Sequence, residues 1–154
     1  MADPKTALAR HPFFAGIDPA IVDTLAECAH GLSVPAGQFL AREGEAAPGF
    51  FLLEGGTVAL ELHRPGRMPV VFETLRQGDL VGTSWVIPPY RWSCDVRAVD
   101  PVRAVAVDGR CLRGKSESDP KLGYELLKRF LPLFVERLEA VRLQLVDVYG
   151  ESPA

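Results

Sequence analysis

The apolar positions of this chain change their period twice. Between Ala7 and His30, the residues Ile21, Val22, Leu25 and Ala29 recur at helical spacing, with Asp18 placed as an N-cap and Pro19 at the first helical position. This predicts a helical segment, with His11-Pro12-Phe13-Phe14 ahead of Asp18 as a turn that carries apolar anchors. From Gly31 onward the apolar runs are short and Gly or Pro interrupts them about every eight to twelve residues, the mark of a β-sandwich or barrel. The predicted strands are Leu32–Val34, Gln38–Arg42, Phe50–Leu53, Thr57–His63, Val70–Leu75, Trp92–Val99 and Val102–Val107.

Two local patterns sharpen this reading. In Thr57–His63, Val58, Leu60 and Leu62 alternate with Ala59, Glu61 and His63, which predicts one buried face and one wet face, with His63 at the surface. Arg64-Pro65-Gly66-Arg67 then supplies a fixed φ followed by a residue free to take a positive φ, as a type II turn requires. After Val107 the helical period returns, first over Asp108–Lys115 and then from Pro120 to Tyr149, where Asp119 and Pro120 repeat the chemistry of Asp18 and Pro19. The expected architecture is mainly β with flanking helices in one domain, 1–154: a helical part at 8–30, a β-rich middle at 31–107 and helices at 108–149.

Composition narrows the functions this fold could serve. Hydrophobic residues make up 47% and charged residues 24%, the balance of a chain with a packed core. A formal net charge of −3 lacks the basic field that draws proteins to nucleic acid, so no nucleic-acid partner is expected. The first ten residues carry Asp3 and Lys5 with no apolar run, unlike a leader or membrane anchor, and a cytoplasmic location with no membrane partner is expected. Cys28, Cys94 and Cys111 are odd in number and show no paired spacing, so three reduced, mostly buried thiols are expected. His11, His30 and His63 are scattered without ligand spacing, which argues against a metal centre and against a cupin-type metal enzyme, so neither catalysis nor a cofactor is expected.

Four stretches at strand-turn boundaries carry a resemblance: Gly37-Gln38-Phe39-Leu40, Glu43-Gly44-Glu45, Gly49 through Val58, and Leu75 through Gly82. In this order they resemble the cyclic-nucleotide-binding domain family over roughly residues 8 to 149. The resemblance implies a jelly-roll or double-stranded β-helix, here called a β-roll, between N-terminal helices and a long C-terminal helix, working as a sensor. It also implies a phosphate-binding cassette that opens with Gly-Glu, continues as a short helix and ends in an Arg-Ala or Arg-Ser pair. There the helix amides and the Arg hold the cyclic phosphate, and the Glu accepts from a ribose hydroxyl. Here the segment runs from Gly82 and Thr83 through Ser84 and Trp85 to Arg91, Trp92, Ser93 and on to Ala98. Thr83 stands in the Glu position, and an alignment anchored on Gly82 and on Val96-Arg97-Ala98 puts Trp92 in the Arg position.

Alternation agrees with that alignment. Trp92, Cys94, Val96 and Ala98 form an apolar row while Arg91, Ser93, Asp95 and Arg97 form a polar one, so the Trp92 indole is expected inside and Arg91 in solvent. Such a pocket keeps the amides near Ser84 and Trp85 and the Ser93 hydroxyl, and ordinary cAMP or cGMP is expected to bind weakly or not at all. The alternative is a working sensor of a cyclic nucleotide or other small anion that uses Arg91. The aromatic cluster of Trp85, Tyr90 and Trp92 reads either as core filling the vacated pocket or as a remodelled site or docking patch for a protein partner.

The last helix carries Leu127, Leu131, Phe134, Leu138, Val141, Leu145 and Val148 at alternating spacings of four and three. This seam either forms a homodimer through residues 120–149 or packs on the protein's own strands. Pro132 is expected to kink or restart the helix, and Arg137 would face Arg142 of a partner across the seam's flank. Because the sequence stops at Ala154, a stand-alone transcription factor with a following winged helix is not expected.

Overall fold

The computed structural model describes residues 3–150. The N-terminal part is α1 (Pro4–Arg10), a 3-10 turn at Pro12–Phe14 and α2 (Pro19–Glu27). The turn expected at His11–Phe14 separates two helices, but the helical part ends at Glu27 and does not reach His30. Pro12 cannot continue α1, Gly16 turns the chain at φ +77°, and His30 already lies in a strand because Ala29 onward pairs with the last strand of the roll. Asp18 does cap α2, its side chain accepting from the Ala20 N–H at 2.9 Å.

Eight strands follow: β1 (Ala29–Val34), β2 (Phe39–Ala41), β3 (Gly49–Gly55), β4 (Thr57–Leu62), β5 (Val70–Arg76), β6 (Leu80–Val81), β7 (Asp95–Ala98) and β8 (Val102–Asp108). They form two four-stranded antiparallel sheets in the orders β1-β8-β3-β6 and β2-β7-β4-β5. The run Phe50-Phe51-Leu52-Leu53 is continuously apolar because β3 is covered on both faces. Phe51 and Leu53 meet Val58, Leu60, Val96 and Ala104 between the sheets, while Phe50 and Leu52 meet the helices. The Arg64–Arg67 turn closes with the Arg67 N–H donating to the Arg64 carbonyl at 3.1 Å, and Gly66 takes φ +73° as its type demands.

The roll departs from the expected strands at three points. β6 is only two residues long and gives no alternation to read. The strand expected over Trp92–Val99 shortens to Asp95–Ala98, and Arg91 makes only a single bridge with Ala46. The outer face of β4 is not wet: Ala59 and Glu61 are buried because Arg97 and His63 lie across it. The Arg97 Nε donates to Glu61 at 2.6 Å, and the His63 Nε2 lies 3.0 Å from Asp95, itself buried although it falls in the polar row.

The C-terminal helices are α3 (Gly109–Ser118), capped by Asp108, and α4 (Pro120–Tyr149). α4 is about 45 Å long. It runs through Pro132 as one element, with no restart there. Leu122, Leu126 and Phe130 anchor it in the helical core with Leu8, Phe14, Leu25, Trp85 and Leu112. Most of the heptad seam does not pack on the roll: Leu127, Leu138 and Leu145 are about half exposed and Leu131 is 64% exposed.

Cys28 and Cys111 form a disulfide, with Cα atoms 5.8 Å apart, so the expectation of three free thiols is corrected to one, the buried Cys94. The cause is topological. β1 and β8 are antiparallel neighbours with Ala29 opposite Val107, so the residue before β1 and the first turn after β8 stand side by side. The Asp108 N–H donates to the Cys28 carbonyl at 2.8 Å and fixes that approach.

Candidate functional site

The cassette begins where β6 ends. Gly82 adopts φ +104°, and a Cβ there would lie 2.7 Å from the Trp92 ring, so this position needs both glycine's backbone freedom and its missing side chain. Thr83 follows, then a single 3-10 turn over Ser84–Val86 in place of a longer helix. Trp85 within that turn points away from the roll's interior. It is 3% exposed and packs in the helical core, its ring 5.5 Å from Phe50 and 5.3 Å from Phe130. The Trp85 carbonyl accepts from Arg113, whose guanidinium also lies 3.9 Å from the centre of the Tyr90 ring. The turn is thereby tied to α3.

At the far end of the cassette Arg91 is exposed, and its Nη1 donates to the Gly44 carbonyl at 2.9 Å. Trp92 is 6% exposed and enters the space between the sheets, stacked on Phe51 at 5.9 Å with their planes 5° apart. Its backbone is fixed on both sides, the Trp92 N–H donating to the Glu45 carbonyl and the Gly44 N–H to its own carbonyl, each at 2.9 Å. The indole therefore occupies the inward direction and the guanidinium the outward one.

A cleft of about 360 Å³ lies between this part of the roll and α4. Its roll side is made by Leu60, Phe72, Glu73, Val81, Gly82, Thr83, Ser84, Trp92, Ser93 and Cys94, and its helix side by Phe134, Arg137, Ala140, Val141 and Gln144. Of the residues singled out in the sequence, Gly82, Thr83, Ser84, Trp92 and Ser93 come together here, while Trp85 and Arg91 do not. Arg137, which the sequence placed only at the flank of a dimer seam, instead reaches into the cleft. Its Nη2 donates to the Leu80 carbonyl at 2.7 Å, and its Nε lies 3.9 Å from Glu73, buried and without a hydrogen-bond partner.

The signal for Arg137 was present in a different register. Phe134, Arg137, Val141 and Gln144 recur at three- and four-residue steps, a face of α4 that shares Phe134 and Val141 with the heptad seam, and a lone cation within it is the anomaly. Cys94 offers no nucleophile in the cleft. Burial, with Asp95 adding to it and Arg137 opposing, pushes its thiol up to about 11, so it stays protonated at neutral pH. Among the described residues no group of three or more His, Cys, Asp and Glu side chains converges as a metal site, and no helix is long and apolar enough to cross a membrane.

Two packed antiparallel sheets, a short cassette turn and a long C-terminal helix define a β-roll domain with flanking helices. The chain belongs to the cyclic nucleotide-binding domain family, whose model matches residues 32–119, more than half of its length. A solved protein from Geobacter metallireducens GS-15 with a cyclic nucleotide-binding designation is 30% identical, with a TM-score of 0.74 over 90% of this chain and 99% of that one. A cyclic nucleotide-binding domain from Methylobacillus flagellatus KT shares the fold, with a TM-score of 0.76 at 18% identity, over 99% of this chain and 84% of that one. An uncharacterised NTE family protein of Mycobacterium tuberculosis is 34% identical over 100 residues, which are 63% of this chain and 16% of that protein. The chain thus spans only a small part of the length of the curated relatives it matches.

Proposed function

We propose that this chain is a non-catalytic regulatory domain of its family whose cassette has lost the chemistry for ordinary cyclic nucleotides and whose output runs through α4. One observation carries the reading: the inward cassette position where a phosphate would meet an Arg is filled by the Trp92 indole, stacked on Phe51 and pressed against Gly82. An indole offers a buried phosphate no opposing charge. Losing a charged, desolvated contact of that kind costs roughly 2–5 kcal/mol, or about thirtyfold to several thousandfold in affinity. Thr83 adds to the loss, since its short neutral side chain cannot accept from ribose as a carboxylate does. Arg91 does not compensate, because its guanidinium is exposed and engaged by Gly44 on the outside of the roll.

The half-exposed apolar seam of α4 supports a second copy of this chain as the partner, docking along residues 120–149. The double variant Thr83→Glu with Trp92→Arg restores the family pattern and tests the cassette reading. It should bind cAMP measurably where the natural chain does not. Equal binding by both chains overturns the reading.

A further inference from the structure

Taking as its basis the reading that the cassette rejects ordinary cyclic nucleotides, we infer that the cleft between the roll and α4 holds a small organic monocarboxylate with a flat apolar body, its charge gripped by Arg137. Phe72, Trp92 and Phe134 give the cleft aromatic walls, and a space of about 360 Å³ is the size of a small-molecule site. The charged lining groups are Arg137 and Glu73 alone, since the Cys94 thiol is protonated.

Arg137 is about three-quarters buried, yet it is under-satisfied. One of its donors goes to the neutral Leu80 carbonyl, its buried Nε–H goes to nothing, and Glu73 at 3.9 Å is too far to accept a hydrogen bond. With its Nε closed off from solvent, the guanidinium would hold a carboxylate through its remaining Nη donors, which match it in geometry and in charge. The single cation, with Glu73 beside it, selects one negative charge over the two of a phosphate monoester. Because the carboxylate would be held by the helix and the body by the roll, occupancy ties α4 to the strands.

The test is calorimetric titration of the intact protein with 2-naphthoate, its neutral isostere 2-naphthamide, and cAMP. The expected result is saturable binding of 2-naphthoate at one site per chain, at least tenfold tighter than 2-naphthamide. Arg137→Gln should remove that preference while leaving the amide unchanged, and the exposed Arg142→Gln should leave both unchanged. If Arg137→Gln folds poorly, Glu73→Gln decides the matter, since removing the competing carboxylate should tighten 2-naphthoate at least threefold. Equal affinity for acid and amide, no binding of either, or indifference to both the Arg137 and Glu73 changes overturns the inference. Low-micromolar cAMP binding that Arg91→Ala abolishes overturns instead the cassette reading beneath it, whereas silence of both cAMP and 2-naphthoate overturns the inference alone.

Discussion

Replacing Trp92 by Ala probes the packing that closes the cassette. A buried indole covers roughly 200 Å², which at about 25 cal/mol per Å² sets an upper limit near 5 kcal/mol. Core Trp→Ala changes cost roughly 3–5 kcal/mol, and the cost falls where the vacated space is relieved. Here one side of the indole borders the open cleft, where water can enter, so the expected loss lies near the lower end, about 3 kcal/mol. Urea unfolding should be followed by circular dichroism, because Trp92 is one of only two tryptophans and its loss changes the fluorescence itself. Gly82→Ala completes a double-mutant cycle. In the natural chain the new Cβ meets the Trp92 ring at 2.7 Å in a backbone at φ +104°, whereas in the Trp92→Ala background the ring is gone and what remains is the backbone cost of about 1 kcal/mol and a tight approach to the Gly49 carbonyl oxygen at 3.3 Å. A Trp92→Ala loss below about 1 kcal/mol, or additive effects at the two sites, refutes the packed-indole account.

Thiol titration of the unfolded, unreduced protein should find one free thiol, Cys94, and three after reduction; in the chain-entropy picture a Cys28–Cys111 link across 83 residues contributes about 4.5 kcal/mol. Three free thiols before reduction contradict that pairing. Burial holds the His11 imidazole below its ordinary 6.5, so its stabilising contribution is complete above pH 6.5 and is lost as the pH falls toward the lowered folded value. His11→Asn, which keeps an acceptor for the Phe13 N–H, should therefore lose less stability than the natural chain between pH 7 and 5, and an unchanged pH slope refutes this. Leu138→Glu with Leu145→Glu should convert a dimer into a folded monomer in analytical ultracentrifugation, because both side chains lie outside the buried core; a natural chain already monomeric at high micromolar concentration overturns the dimer.

What the sequence made legible was whatever is encoded locally. Asp18-Pro19 marked the start of α2, the Phe50–Leu53 run marked a strand, and Arg64–Arg67 marked its turn. The row from Trp92 to Ala98 gave the direction of the indole even though only its last four residues form regular strand. What stayed hidden depends on partners distant in sequence. The Cys28–Cys111 pair follows from β1 lying beside β8, and the burial of Glu61 and Asp95 follows from Arg97 and His63 folding over a face that alternation alone assigns to water. Arg137 was obscured because α4 was read on a heptad, whereas the helix uses neighbouring faces for different tasks: Leu126 and Phe130 in the core, Phe134 and Arg137 in the cleft, Leu131 and Leu138 in solvent.

We propose that the Trp92-filled cassette does not take ordinary cyclic nucleotides. Isothermal titration of the intact natural chain with cAMP and with cGMP tests it most directly, since no substitution intervenes and the heat reports binding anywhere on the molecule. No saturable heat is expected with either nucleotide at micromolar concentrations. A single-site isotherm with low-micromolar affinity for one of them would contradict it, and would return Arg91 to the phosphate position that the Trp92 indole occupies here.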